Sequence, residues 1–298
     1  MRLLVELERR GSLASVADAL HLSPSGISAQ ITRLEREVGA TLVARVGRGL
    51  RLTEAGVRLA ENGRELLAAM ESAESDLRRL SGAVEGTLRL AAFQSAALLL
   101  VPLALECEQT HPRLRVELVQ AEPEVAVPAL LAGDFDLVVA EEYPGVQPWI
   151  PTDTHRKDLG EDPLFIVVHE KLNRGRSLSV GGGRIPWVME ARGSAAREWA
   201  ELTCRRFGFE PDVRYESDDL LVHLELIERG RAAGLLPALV AARGAPELQR
   251  TPTGSARTLL TLTRAGTEDN PTVRVVRDFL LAALRTVDSA RLVPGHPH

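Results

Sequence analysis

Early in the chain, two short helix patterns are separated by a gap that fits only a tight turn. Ser12 is a predicted N-cap for a helix from Leu13 to Leu20. Shortly afterwards, Ser23 is a second N-cap and Pro24 occupies the first helical position, where a proline sacrifices no hydrogen bond. Gly39 suits the position that follows the last turn of this second helix. Two helices joined so closely predict a helix-turn-helix.

The second helix has one apolar face and one polar face. Its apolar positions recur at spacings of 4, 3 and 4, which predicts a narrow buried stripe: Ile27, Ile31, Leu34 and Val38. The opposite face carries small and polar side chains near the helix start and arginines further along. Small residues let a helix approach base edges, and arginine reaches phosphates or guanine. This pattern favours DNA binding, although two short helices are also common in all-α proteins that bind no DNA.

The segment after this helix is a predicted hairpin rich in arginine. Two short strand patterns, at 42–46 and 50–52, are separated by Gly47-Arg48-Gly49. A basic hairpin directly after a helix-turn-helix is typical of a wing that contacts the minor groove or the phosphate backbone. The two glycines also match half of a dinucleotide-binding loop. We dismiss that alternative, because the third glycine and the surrounding strand–helix–strand pattern are missing.

The distribution of charge also points to this segment as the site of a polyanion. Residues 1–60 carry nine arginines and six acidic residues, a net charge of +3, whereas the whole chain is −5 and the remainder is therefore −8. We expect double-stranded DNA to contact the start and outer face of the second helix and the arginines around it. These residues are Ser23, Pro24, Ser25, Gly26, Ser28, Ala29, Gln30, Thr32, Arg33, Arg45, Arg48 and Arg51.

Together, these segments resemble the LysR-type transcriptional regulators. The resemblance is carried by Gly-Ser-Leu-Ala-Ser-Val-Ala-Asp-Ala-Leu-His-Leu-Ser at 11–23, Ile-Ser-Ala-Gln-Ile-Thr-Arg-Leu-Glu-Arg-Glu-Val-Gly at 27–39, Thr-Leu-Val-Ala-Arg at 41–45 and Leu-Thr-Glu-Ala-Gly at 52–56. Pro-Ser-Gly at 24–26 departs from the family's common Gln-Pro-Ala, Ala29 and Thr32 replace frequent arginines, and Val43 replaces phenylalanine. Compared with the family, the first helix begins a few residues late in this sequence. We therefore expect the sequence to lack a few residues at its start. The resemblance implies an effector-responsive regulator that binds operator DNA as a homodimer or homotetramer.

A long helix is predicted from its N-cap, Thr53, to about Leu80. It carries a heptad pattern that starts at Gly63, with spacings of 3, 4, 3, 4 and 3. So narrow a stripe favours a coiled coil between two subunits, and the resemblance agrees, since members of the family dimerise through this helix. The alternative is an amphipathic helix that packs on its own domain. The predicted dimer contacts are Leu66, Met70, Ala73, Leu77 and Leu80.

From Gly86 onward, strand and helix patterns alternate, which predicts a parallel sheet. Strands are expected at 87–92, 114–119, 137–140, 164–168, 213–215 and 258–262, and helices at 96–108, 124–132, 194–207, 219–228, 238–243 and 272–287. A stretch rich in proline and charge, 144–163, interrupts the alternation, and the pattern predicts two lobes with a cleft between them. The family resemblance continues at 131–138, 227–230 and 234–237, and implies an effector-sensing domain similar to periplasmic binding proteins.

The expected architecture is α/β, with an N-terminal all-α winged helix-turn-helix, a long linker helix and a C-terminal two-lobed domain like that of periplasmic binding proteins. The predicted DNA-binding domain comprises residues 1–57, the linker (dimerisation) helix 58–82 and the effector-binding domain 86–298. Within the last of these, lobe I comprises 86–157 and 263–298, and lobe II comprises 163–257.

Polar residues at the ends of predicted strands form a candidate effector site. A helix start with free N–H groups and a nearby arginine favours a carboxylate or a phosphate, which predicts a small anionic effector held by Ser194 and Arg197. Plain helix capping is the alternative explanation for each serine. The candidate effector contacts are Gln94, Ser95, Glu141, Ser194, Arg197, Ser217 and Asp218.

Other function classes find less support. The longest apolar run, 96–105, is too short to span a membrane, and the charged start does not resemble a signal peptide, so we expect a cytoplasmic protein. The two cysteines form no disulfide or metal motif, and catalytic motifs such as Gly-x-Ser-x-Gly are missing. We therefore expect no enzyme activity, no metal and no cofactor. Two alternatives stay open: a small-molecule-binding protein whose helix-turn-helix serves assembly only, and a cytosolic enzyme that uses the cleft.

Overall fold

The structure is a computed structural model that describes residues 1–20, 22–46, 49–147, 150–151, 153–173 and 184–291. The chain divides into two compact units. The first comprises Met1–Gly82 and the short segment Arg264–Asn270, and the second comprises Ala83–Thr263 and the chain from Pro271 onward. Apart from one hairpin, the regular structure of the first unit is helical, whereas the second unit is α/β.

The first unit begins with three helices and a hairpin. These elements are α1 (Arg2–Arg10), α2 (Leu13–Leu20), α3 (Pro24–Val38), β1 (Val43–Val46) and β2 (Gly49–Leu52). The predicted start of α3 is confirmed, because the Ser23 hydroxyl accepts a hydrogen bond from the Gly26 N–H at 3.1 Å and Pro24 lies in the first turn. Gly39 follows the helix in the left-handed conformation, with φ 69°.

Helix α1, which the sequence patterns did not predict, supplies much of the core of this unit. Leu4 and Leu7 are buried, and Leu7 belongs to one apolar cluster with Ile27 and Ile31 of α3. At the end of the predicted stripe, Val38 is 45% exposed, which corrects the expectation that it is buried. The apolar stripe is therefore exposed to solvent at the end of α3, because the small core of this unit does not extend that far.

Strands β1 and β2 pair antiparallel, which confirms the predicted hairpin, and Val43 lies opposite Leu52. The Glu35 carboxylate of α3 accepts hydrogen bonds from the N–H groups of Leu42 and Val43, at 2.8 and 3.2 Å. This carboxylate therefore fixes the start of the hairpin relative to α3. Gly47 and Arg48, which are predicted to form the tip, lie outside the described residues.

Helix α4, Glu54–Ser81, confirms the predicted long helix. Thr53 caps it by accepting a hydrogen bond from the Gly56 N–H at 3.1 Å. Gly63, the first position of the predicted heptad, faces α1, because a Cβ atom there would lie 3.3 Å from Val5. The heptad contacts available to a second subunit therefore begin later along α4.

The second unit contains an eight-stranded sheet with helices packed against it. Its strands are β3 (Gly86–Ala92), β4 (Leu114–Gln120), β5 (Leu137–Glu142), β6 (Thr154–His169), β7 (Pro186–Met189), β8 (Asp212–Glu216), β9 (Ala233–Pro237) and β10 (Leu248–Arg264). Its helices are α5 (Gln94–Thr110), α6 (Pro123–Leu131), α7 (Glu170–Asn173), α8 (Ala195–Arg206), α9 (Leu220–Glu228), α10 (Ala238–Ala241) and α11 (Pro271–Arg291).

The strand order, β4-β3-β5-β10-β6-β9-β7-β8, defines two lobes. In lobe I, β3 runs parallel to β4 and β5, and in lobe II, β7 runs parallel to β8 and β9. The long strands β6 and β10 lie next to each other between the two sets, antiparallel to β9 and β5 respectively. Because each of them pairs with one lobe and with the other crossing strand, they join the lobes, which confirms the predicted two-lobed domain.

Several predicted bounds in this unit are wrong. The interruption predicted at 144–163 is only partly present, because residues from Thr154 onward already belong to β6, and β10 begins at Leu248 rather than near Thr258. The early half of β6 is largely exposed and rich in charged side chains, and the early half of β10 is largely polar, so neither shows the apolar alternation that reveals a strand. Strands β7 and β9 were not predicted, since short strands buried on both faces carry no alternation.

Each lobe has its own apolar core. In lobe I, Leu90, Leu100 and Leu137 are buried, and Leu280 of α11 belongs to the same cluster. In lobe II, Trp187 is buried in a cluster that includes α8. Among the residues that the structure describes, no helix has both the length and the apolar character to cross a membrane.

Candidate DNA-binding surface and ligand cleft

In the first unit, α3 presents a polar face to solvent. Ile27 and Ile31 are buried, whereas the helix positions on the opposite side are exposed. Of the predicted DNA contacts, Gly26 is half-buried and Arg48 lies outside the described residues. The others are exposed: Ser23, Pro24, Ser25, Ser28, Ala29, Gln30, Thr32, Arg33, Arg45 and Arg51.

Two contacts on this face involve side chains that a ligand could engage. The Thr32 hydroxyl donates to the Ser28 carbonyl oxygen at 2.9 Å, and the Arg33 Nε donates to Glu37 at 2.8 Å. An exposed ion pair of this kind contributes little to stability. Arg33 can therefore exchange Glu37 for a phosphate at small cost.

One side of α4 exposes a row of apolar side chains, here called the α4 row: Leu66, Met70, Ala73, Leu77 and Leu80. Its four large members are 52%, 63%, 67% and 81% exposed in the single chain, in chain order. Contiguous exposed apolar surface is typical of an interaction site. At heptad spacing on a long helix, it favours a partner helix over a contact within the same subunit.

In the second unit, a cavity of about 530 Å³ lies between the two lobes. Its wall contains the ends of β5 and β7 and the starts of α5 and α8. Apolar side chains cover part of this wall: Val125, Val127, Val146, Ile150, Leu220 and Leu262. The structure brings five of the seven predicted effector contacts to this cavity: Gln94, Ser95, Glu141, Ser194 and Asp218.

Arg197 and Ser217, the other two predicted contacts, are not among the lining residues of the cavity. Arg197 is 4% exposed, and its guanidinium donates to the Glu201 carboxylate at 2.7 Å and to the Glu190 carbonyl oxygen at 3.1 Å. The Ser217 hydroxyl accepts from the Asp219 N–H at 3.1 Å. The expectation that Arg197 supplies the cation of the cleft is therefore corrected: its charge is used within lobe II.

Gln94 joins the two lobes at the cleft. Its side-chain amide donates to the carboxylate of Asp219, the N-cap of α9, and its Oε1 accepts from the Leu220 N–H at 2.7 Å. The first of these hydrogen bonds lowers the pKa of Asp219. A side chain at the start of a lobe I helix thus completes the N-terminus of a lobe II helix.

The cation that lines the cavity is Arg257 of β10, which the sequence analysis missed. Its side chain is 1% exposed and donates to Asp162 at 2.7 and 3.1 Å, to Glu141, and to the Ser95 hydroxyl at 2.7 Å, while the guanidinium lies 5.1 Å from the Phe93 ring centre. Burial disfavours its charge, but the two carboxylates outweigh that effect and raise the pKa of Arg257. This cation is therefore already neutralised by the protein.

Carboxylates dominate the polar part of the wall. The acidic lining residues are Glu122, Glu124, Glu141, Glu142, Glu190, Glu198 and Asp218. Burial, reinforced by the charge of Glu141, raises the pKa of Glu122 to about 7. Burial also raises the pKa of Glu190 to about 7, with a contribution from Asp218. Removal from water is thus the main cause of both shifts.

Two of the acids that the sequence analysis missed carry a recognisable signal. Glu190 directly follows the apolar strand β7, and Glu122 directly precedes the first residue of α6, Pro123. Acidic residues at such strand ends and helix starts face the crevice of α/β proteins. Arg257 has no comparable signal, because an arginine between Ala256 and Thr258 looks the same as one on an exposed strand position.

Comparison with known proteins places both units in one family. A family model described as the LysR substrate binding domain matches residues 81–285, and one described as a bacterial regulatory helix-turn-helix protein of the lysR family matches residues 1–57. The HTH-type transcriptional regulator TfdS of Cupriavidus pinatubonensis is 28% identical over 292 residues, 96% of this chain and 97% of its own. The regulator ClcR of Pseudomonas putida is 32% identical over 145 residues, about half of each chain (48% and 49%).

A solved structure agrees with this placement. Full-length CbnR in complex with its target DNA has a TM-score of 0.52 at 22% identity, and the match covers 95% of this chain and 98% of that chain, which shows a shared fold. The substrate-binding-domain model alone matches more than half of the chain. The chain therefore belongs to the LysR family of transcriptional regulators, with a helix-turn-helix DNA-binding domain and an effector-binding domain.

Proposed function

We propose that the chain binds a specific double-stranded DNA sequence through α3 and the β1–β2 hairpin. The observation that carries this proposal is the division of α3 into two faces. Ile27 and Ile31 are buried, while small residues on the other side, Ser28 and Ala29 among them, are exposed. Small side chains let the helix backbone approach base edges in the major groove. The exposed arginines of the hairpin then contact the phosphate backbone.

Two subunits are needed for tight binding, since each offers only a few arginines to the phosphates. The α4 row is the surface through which we propose that they associate as a coiled coil. Two recognition helices related by a two-fold axis would contact two half-sites of one DNA site. The structure of CbnR with its target DNA supports DNA as the partner.

For the cleft of the second unit we propose a binding role, with no reaction catalysed there. The family model that covers the cleft is named for substrate binding, and both named relatives are transcriptional regulators. A small effector that contacts both lobes would favour one arrangement of the lobes over others, and would change DNA binding through that preference. The chain would act in the cytoplasm, where its DNA partner is.

Selection of duplexes from a random library by the full-length chain tests the DNA assignment. Fluorescence anisotropy on the selected site at several salt concentrations then counts phosphate contacts, because each contact adds about one unit to the slope of log K against log salt. Arg33→Ala and Arg51→Ala should each lower this slope. The control, Arg229→Ala, removes an exposed arginine that directly follows α9 and should leave the slope unchanged. Failure to enrich any sequence, or equal slopes in all four proteins, would overturn the proposal.

A further inference from the structure

The cleft between the lobes carries negative charge that its own cations do not neutralise. Of the acids that line it, Glu141 is paired with Arg257, and Glu142 lies 2.6 Å from Arg156. No other lining carboxylate has an ion pair within the part of the chain that the structure describes. Arg257 itself has no spare charge, because Asp162 also binds it. An anion would therefore enter this cleft against uncompensated like charge.

Of the five lining carboxylates that have no ion pair among the described residues, three come from both lobes and act on one another, because the charge of Asp218 contributes to raising the pKa of Glu122 and of Glu190. Glu122 precedes α6 in lobe I, and Glu190 and Asp218 follow β7 and β8 in lobe II. Their partners within the protein are backbone N–H groups: Glu122 accepts from Gln94, and Asp218 accepts from Ala191 at 2.9 Å. Like charges that face one another in a partly desolvated space repel. A cation placed between them would turn this repulsion into attraction across the cleft.

The rest of the wall restricts the kind of cation. Among the described residues, no group of three or more His, Cys, Asp or Glu side chains is arranged to hold a metal ion. The carboxylates are instead spread along a cavity of about 530 Å³, and side chains such as Val125, Ile150 and Leu220 cover part of its wall. A ligand that fills this space must combine positive charge with an apolar body.

We propose that the effector of this cleft is a small organic cation, an ammonium or amidinium group on an apolar body, held by Glu122, Glu190 and Asp218. This inference rests on the proposed function of the cleft as an effector site. A cationic effector takes the place of the anionic effector predicted from the sequence. The N–H groups of such a cation form charge-assisted hydrogen bonds with carboxylates. Because the carboxylates belong to both lobes, the bound cation stabilises the arrangement in which the lobes lie together.

Binding of this cation should strengthen as the pH rises. Burial and neighbouring carboxylates raise the pKa of Glu122 and Glu190 to about 7, and only their ionised forms attract the cation. Burial lowers the pKa of His223, whose Nε2 lies 2.6 Å from the Ser217 carbonyl oxygen, so this imidazole is neutral above pH 7. The other charged groups that act on the two glutamates are Glu124, Glu141, Asp218, Arg197 and Arg257. Affinity should therefore rise about tenfold between pH 6 and pH 8 for each glutamate engaged.

Calorimetry on the full-length chain tests the inference with three probes of nearly the same shape: benzamidinium, benzamide and benzoate. We expect benzamidinium to bind at least about tenfold more tightly than the neutral and anionic probes. Glu122→Gln and Glu190→Gln should each weaken this binding about tenfold at pH 8 and flatten its pH dependence. Glu210→Gln, which changes an exposed carboxylate paired with Arg205 outside the cleft, is the matched control and should bind as the wild type does.

Three results would overturn the inference: benzoate binds as tightly as benzamidinium, benzamidinium does not bind at millimolar concentration, or the two glutamine variants bind benzamidinium as the wild type does. Thermal unfolding of each variant shows that it is folded before it is compared. Failure of the proposed effector role has a different signature, because a cation that binds as described would then leave the affinity for DNA unchanged.

Discussion

Replacing the buried arginine at the back of the cleft should destabilise the second unit strongly. Arg257→Met leaves Asp162 and Glu141 without their cation in an interior where the guanidinium is 1% exposed. Breaking a buried pair in this way costs about 3 to 5 kcal/mol, mostly because of the uncompensated charge left behind. For a domain of this size, 1 kcal/mol corresponds to roughly 2 to 4 °C in Tm, so we expect a decrease of about 6 to 20 °C near neutral pH.

The stability that Arg257→Met loses relative to the wild type should become smaller as the pH falls. Burial already raises the pKa of Asp162 and Glu141 in the native chain, and loss of the cation raises both further. The folded variant then binds more protons than its unfolded state between the ordinary carboxylate pKa and the raised one. Its stability relative to the wild type therefore increases as the pH is lowered through this range. Adding Asp162→Asn should restore part of the stability at neutral pH, because it removes one of the two buried charges.

Thermal unfolding followed by near-ultraviolet circular dichroism at pH 5 and about pH 7.5 measures these differences. Arg205→Met is the matched control, since Arg205 forms an exposed pair with Glu210 and should leave Tm unchanged. If Arg257→Met unfolds within about 2 °C of the wild type at neutral pH, the guanidinium does not hold the two carboxylates as described. A deficit that grows on acidification would contradict the assigned cause, the buried unpaired charge.

Three further predictions concern other parts of the chain. Replacing Leu66 and Leu77 together by glutamate should split the dimer, because like charges would face each other in the α4 row; sedimentation velocity showing an unchanged oligomer would contradict this. Gly56→Ala should lower the free energy of unfolding of the first unit by about 1 to 3 kcal/mol, because the added Cβ would lie 2.1 Å from a backbone carbonyl oxygen. Gly63→Ala should lower it less, because a Cβ there meets only side-chain atoms; denaturant unfolding of both variants measures the difference. Cys204 is buried and its pKa is raised to about 12, so the native protein should react with a thiol reagent far more slowly than the unfolded one.

The helix-turn-helix could be predicted closely because its signals are local. The cap at Ser23, the proline after it and the glycine at position 39 each act within a few residues, and the structure confirms all three. Helix α1, which contains the buried residues Leu4 and Leu7, was missed because five of its nine residues are charged. The crossing strands were mostly missed, because the exposed half of β6 carries no apolar alternation and its pairing partner lies about a hundred residues away.

The position of the candidate cleft could be predicted from the sequence, but the sign of its charge could not. Gln94, Ser95 and Asp218 lie at strand ends and helix starts, positions that a sequence pattern can identify. The sign of the net charge that a ligand meets in the cleft depends instead on which charged side chains are already paired within the protein. Arg197 is neutralised within its own lobe by Glu201, four residues away on the same helix, whereas the partners of Arg257 come from distant segments. Sequence spacing therefore shows which charges are present but not which of them stay free.

An occupied cleft should change how tightly the chain holds its DNA. The most direct test is fluorescence anisotropy on the selected DNA site, with and without saturating benzamidinium, for the wild type and Glu190→Gln. We predict that benzamidinium changes the Kd for DNA of the wild type by about 5-fold or more, as expected for coupled sites. We also predict that benzoate causes no change and that Glu190→Gln needs much more benzamidinium for the same effect. An unchanged Kd in the wild type, with the cleft shown to be occupied, would contradict the proposed coupling between the cleft and the DNA-binding surface.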